Sequence, residues 1–255
     1  MEVENNIESN DNEWLIWSTI SIIFSFLLAN YYVMGISYLI DKLELNQIFK
    51  TLNMVLATPG FMLGSVLIIA IITGKTSSLL NVVKLRNWRY YYIPEGIGLQ
   101  MLLFIPLAII TFATLNLINK LKPIFPNQVK FLTETSQAVQ TFALTSGWTA
   151  FAILAISAVI VAPIIEEIIF RGVVFSCLKK YINTPAAAIG TSLFFAAFHF
   201  NFIQFIPLFL LGMMFQLLFI YHKSIFPCMI YHAVNNSFAM IMLLLMKLKI
   251  VEMSC

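Results

Sequence analysis

The chain has 255 residues, is 60% hydrophobic and carries only 11% charged residues, with a mean hydropathy of +0.89. A soluble domain of this size needs far more polar surface to cover its core. The net charge of +3 is too small to point to a nucleic-acid partner. These figures leave an integral membrane protein.

The first residues are acidic: Glu2, Glu4, Glu8, Asp11 and Glu13. A secretory signal needs a basic start, so residues 1–13 read as a disordered, solvated leader, and Trp14 opens a retained span. Uncharged runs follow from Trp14 to Ile40, Thr51 to Gly74, Gly96 to Asn119, Thr135 to Ile165, Tyr181 to His222 and Ser224 to Met246. A spanning helix needs roughly 20 apolar residues. Hydrocarbon offers the backbone no water, so each run must be helical. The run from Tyr181 is long enough for two spans, broken at Asn201 to Gln204. The expected fold is all-α, a polytopic transmembrane bundle of about seven spans, or eight if Thr135 to Lys180 divides.

The first half to Lys122 reads as three spans. Trp88, Arg89 and Tyr90 to Tyr92 suit a membrane interface. Gly60 and Gly64 form a small-residue pair of the kind that lets helices approach. Lys122 to Gln140, with Pro123, Pro126 and Asn127, reads as a loop and as the internal boundary. It separates a membrane region at 14–122 from a second unit at 141–250. Basic residues flank the spans (Lys84, Arg86 and Arg89; Lys120 and Lys122; Lys179 and Lys180) and anchor them at the interface. Their near-balance on alternate sides selects no orientation. Cys177, Cys228 and Cys255 have no metal-like spacing and read as packing residues.

Charged groups inside spans cost at least about 2.5–3.5 kcal/mol each and mark functional positions. The first polar cluster is Glu166, Glu167 and Arg171. Pro163 fits the first turn of a new helix, which would place both glutamates where the helix dipole favours negative charge. Glu167 and Arg171 are four apart and can pair. Glu166, about 100° around the helix, then points elsewhere. The second cluster is His199, within Phe194 to Phe200. The third is His232 and Asn236, four apart on one helix face. Each alone is explained by an ion pair or interhelical hydrogen bonds. Together they are the parts needed to hydrolyse an amide inside a bilayer. Glu166 can take a proton from water that His199 orients, and His232 and Asn236 can stabilise the oxyanion. A rival arrangement uses Glu and His side chains as zinc ligands, although no helix carries a two-histidine zinc signature.

These residues resemble the CPBP family, the Abi-type group of type II CAAX prenyl proteases and bacteriocin-processing enzymes. EExxxR is matched by Glu166, Glu167 and Arg171, FxxxH by Phe195 and His199, and HxxxN by His232 and Asn236. The three occur in order, within Gly147 to Met246. The first three spans match only as membranous, the variable half of this family. The resemblance implies helices around a central polar cavity open to one side of a cell membrane, and a multi-pass intramembrane endopeptidase acting on a membrane-associated protein or peptide. Glu166 becomes the general base, assisted by His199. His232 and Asn236 form the oxyanion site, and Glu167, Arg171 and Phe195 support them. Members have been labelled metalloendopeptidases. The residue set fits a metal-free mechanism better, the alternative being zinc held by Glu166, His199 and His232. Besides proteolysis, the same fold can serve a non-catalytic immunity protein or scaffold. Buried charges can also serve a transporter, but no inverted repeat is evident.

Overall fold

The computed structural model describes residues 2–42, 47–83 and 88–250. All regular structure among them is helical. The elements are α1 (Glu2–Lys42), α2 (Gln47–Ile72), α3 (Thr76–Val83), α4 (Tyr92–Leu121), α5 (Pro126–Thr145), α6 (Trp148–Ile156), α7 (Ala162–Glu167), α8 (Phe175–Tyr181), α9 (Thr184–Phe198), α10 (Phe205–His222) and α11 (Phe226–Lys247). Two π turns, Ser157–Val161 and Ile168–Val174, join α6, α7 and α8. They merge the three into one span, Trp148–Tyr181.

Among the described residues, six helices are long and apolar enough to cross a membrane, and the apolar α9 is shorter. Long apolar side chains stay exposed on their outer faces, such as Phe24 and Tyr31 of α1 and Met101, Ile105 and Phe112 of α4. In water such faces would be costly; in a bilayer they are the surface that lipid wets. The chain is a polytopic transmembrane helical bundle.

Four local expectations are revised. Helix α1 runs from Glu2, where an unstructured leader was expected; no Gly or Pro precedes Gly35 to interrupt it. The stretch expected as a loop is mostly helix α5. Pro123 ends α4, whereas Pro126 sits in the first turn of α5, where a missing N–H costs nothing. Gly60 and Gly64 make no close helix approach: a Cβ built on either meets nothing within 4 Å. Pro163 does not open a fresh helix. The π turn before it absorbs the proline, so Glu166 and Glu167 lie deep within a continuous span. Lys84, Arg86 and Cys255 lie outside the described residues. Cys177 and Cys228 are buried free thiols, as packing residues should be.

Two devices hold the second half together. Lys247 donates from Nζ to Ala143 O, Leu144 O and Ser146 O at 2.9, 3.1 and 2.6 Å. It thereby caps the carbonyl end of α5, where the dipole favours a cation. Gly212 of α10 crosses α9 closely. A Cβ there would stand 3.2 Å from both Ser192 and Phe195.

Candidate active site

Three helices present the polar residues. Glu166 and Glu167 close α7, with Arg171 in the π turn beyond. His199 caps α9 at its C-terminal end, and Phe200 follows at φ 47°, a left-handed conformation uncommon for a bulky residue. That turn ends α9 at the expected break and stacks the Phe200 ring on Phe26 at 5.3 Å. His232 and Asn236 lie on α11.

The two glutamates have opposite environments. Glu167 and Arg171 side chains are fully buried and pair at 3.1 Å, as their spacing suggested. The same Glu167 Oε1 accepts a hydrogen bond from His232 Nδ1 at 2.9 Å. Arg171 also donates to Gly212 O at 2.9 Å. Its guanidinium lies over the Phe195 and Phe215 rings at 4.8 and 5.0 Å. Such a cation is tolerable in hydrocarbon only because carboxylate, carbonyl and two ring faces replace its water. Phe195 is the hub of this packing. Its ring also meets Phe170, His199 and His232, with centroids 5.3, 4.6 and 5.7 Å away.

Glu166 instead keeps 23% of its side chain exposed and faces a cavity of about 510 Å³. His199, Phe195, His232, Asn235 and Asn236 also line that cavity. Glu166 Oε2 lies 3.6 Å from His199 Nε2 and 4.0 Å from His232 Nε2. Both distances exceed a direct hydrogen bond and suit a shared water molecule. His199 Nδ1 sits 2.7 Å from Phe195 O. A carbonyl only accepts, so Nδ1 carries the proton and a neutral His199 offers a lone pair at Nε2. His232 Nδ1 is likewise committed, to Glu167. Both imidazoles therefore turn Nε2 toward one carboxylate oxygen.

Asn236 is held by a backbone defect. In the π turn the Ala162 N–H bonds to Ser157 O, and Pro163 has no N–H to give. Ala158 O loses its α-helical donor to the first effect and its π-helical donor to the second. Asn236 Nδ2 donates to that carbonyl at 2.8 Å, and Asn236 Oδ1 accepts from Asn235 at 3.2 Å. The second hydrogen on Nδ2 remains for the cavity.

Among the described residues, no group of three or more His, Cys, Asp or Glu side chains is arranged to hold a metal ion. Several site residues had no sequence signal. The Glu167 to His232 bond joins residues 65 apart. Phe215 stacks on His232 at 4.8 Å. Gln100 of α4 lines the cavity with no motif to single it out. Outside the cavity, the third histidine, His222, pairs with Glu95 at 3.1 Å and ties α10 to α4.

Residues 147–238 match the family model described as Type II CAAX prenyl endopeptidase Rce1-like. No curated protein and no solved structure matches the chain. The matched stretch is an Rce1-like domain of the CPBP family, and every polar residue of the three clusters falls within it. The match supports a CAAX-type intramembrane protease working on peptide or protein within a lipid bilayer.

Proposed function

We propose that the protein is an endopeptidase that hydrolyses a peptide bond of a membrane-associated protein or peptide, with Glu166 as general base. The observation that carries this reading is the convergence of His199 Nε2 and His232 Nε2 on Glu166 Oε2, at 3.6 and 4.0 Å, at the wall of a cavity of about 510 Å³. A water in that gap gives one hydrogen to Glu166 and one to His199. Its free lone pair is left for the scissile carbonyl carbon.

Glu166 takes the proton as the water oxygen bonds to carbon, and the carbonyl π electrons move onto oxygen. That oxyanion accepts from the second Nδ2 hydrogen of Asn236 and from His232 Nε2–H. His232 Nδ1 is committed to Glu167, so the Nε2 donor belongs to the imidazolium form, whose charge Glu167 balances. With Glu166 protonated, the Glu167 carboxylate and the oxyanion balance the Arg171 guanidinium and the His232 imidazolium, a neutral sum that suits a site in low dielectric. Collapse of the intermediate breaks the C–N bond, and Glu166 returns its proton to the leaving nitrogen.

Glu166→Ala, His199→Ala and His232→Ala should each abolish cleavage while the protein remains folded in the membrane. Proteolysis retained by the Glu166 variant would end the assignment. A chelator should leave turnover unchanged; loss of activity on chelation, restored by zinc, would overturn the metal-free mechanism.

A further inference from the structure

One side chain in the cavity remains unexplained by the proposed chemistry. Gln100 is only 4% exposed, and its Oε1 has no hydrogen-bond partner among the described residues. A buried amide oxygen without a partner costs about 1–3 kcal/mol, so it is a liability for the fold alone. Gln100 also heads a stripe. Residues Gln100, Phe104, Leu107, Ala108 and Thr111 all line the cavity, and their spacing places them on one face of α4. This largely apolar wall lines the same cavity as Glu166, His199 and His232.

From Gln100 to Thr111 the stripe rises roughly 16 Å at 1.5 Å per residue, room for about five residues of extended chain at 3.3 Å each. An extended peptide in an apolar groove carries main-chain N–H groups that need acceptors. Thr111 does not supply its hydroxyl hydrogen, which goes to Leu107 O at 2.9 Å.

We infer that Gln100 is a substrate-binding residue, its Oε1 accepting a main-chain N–H from an extended, apolar peptide laid along α4 beside the catalytic cluster. The inference rests on the proteolytic reading and adds the conformation of the substrate and the atom that reads it. Gln100 thus helps to hold the scissile bond in register with Glu166.

Two measurements test it. The first is thermal unfolding of purified protein in detergent, which needs no substrate. Gln100→Leu removes the unpartnered oxygen at similar volume and should unfold at a higher temperature than wild type; a lower temperature would mean that Gln100 serves the fold and would overturn the inference. The second uses a synthetic peptide spanning a cleavage site mapped in membranes. Gln100→Leu should raise KM about tenfold, one hydrogen bond's worth at about 1.4 kcal/mol, with kcat nearly unchanged. Replacing one substrate amide by an ester should reproduce that loss in wild type and add nothing in the variant. Unchanged KM together with full sensitivity to every ester would refute the contact. If wild type cleaves nothing while Gln100→Leu is stabilised, the proteolytic reading fails and the inferred peptide contact falls with it, whereas the unpartnered amide stands.

Discussion

Glu167 Oε1 lies 2.9 Å from His232 Nδ1 and 3.1 Å from Arg171, so one buried oxygen serves both partners. The carboxylate that pairs with the arginine also fixes which imidazole nitrogen faces Glu166. Carboxylates that orient metal-bound histidines are typically worth about 10–100-fold in activity, and Glu167 holds the His232 ring in the same way. Glu167→Gln should therefore lower kcat about 100-fold with KM little changed, as measured by single-turnover cleavage of a mapped peptide. Unaltered turnover in folded Glu167→Gln would show that His232 needs no such anchor.

Arg171→Met tests the structural half of the same pair. It breaks a buried ion pair and leaves the Glu167 carboxylate with His232 as its remaining partner, a loss that typically costs about 3–5 kcal/mol. Thermal unfolding in detergent should fall accordingly. A variant as stable as wild type would mean that the aromatic cage carries the packing alone.

Asn236 closes the carbonyl that Pro163 and the π turn leave open. Asn236→Asp should be worse than Asn236→Ala, because a carboxylate cannot donate to Ala158 O and its charge opposes that dipole. Alanine leaves the carbonyl unsatisfied at about 1–3 kcal/mol. Ranking the two by unfolding temperature decides the matter; aspartate equal to or better than alanine would contradict the bond.

Gly212 admits α9 to within a close crossing. Gly212→Ala sets a methyl 3.2 Å from Phe195 and Ser192, and overpacking of this kind costs about 1–3 kcal/mol. Because Phe195 packs on both His199 and His232, turnover should fall with stability. Chemical denaturation and cleavage assays on the same preparation would expose any decoupling.

The class and the clusters were readable because their signals are local. Apolar runs announce spans, and Glu167 with Arg171, or His232 with Asn236, sit one helical turn apart. The break at Asn201 to Gln204 was visible because polar residues interrupt an apolar run. Tertiary choices were not visible. Pro163 can open a helix or sit behind a π turn, and only the packing of α11 against Ala158 distinguishes these. Pro126 belongs equally to a loop or to a first turn. Gly60 and Gly64 fit the spacing of a close crossing, yet the crossing belongs to Gly212, which has no such pair. Gln100 is one glutamine in an apolar span; its place in the cavity depends on which face α4 turns inward.

The most direct measurement compares new peptide termini in membranes carrying wild type with those carrying Glu166→Gln, by mass spectrometry of labelled termini. Hydrolysis driven by Glu166 predicts at least one membrane-associated protein or peptide whose new terminus appears with wild type and is missing with the variant at equal expression. Identical sets of termini in the two membranes would contradict it.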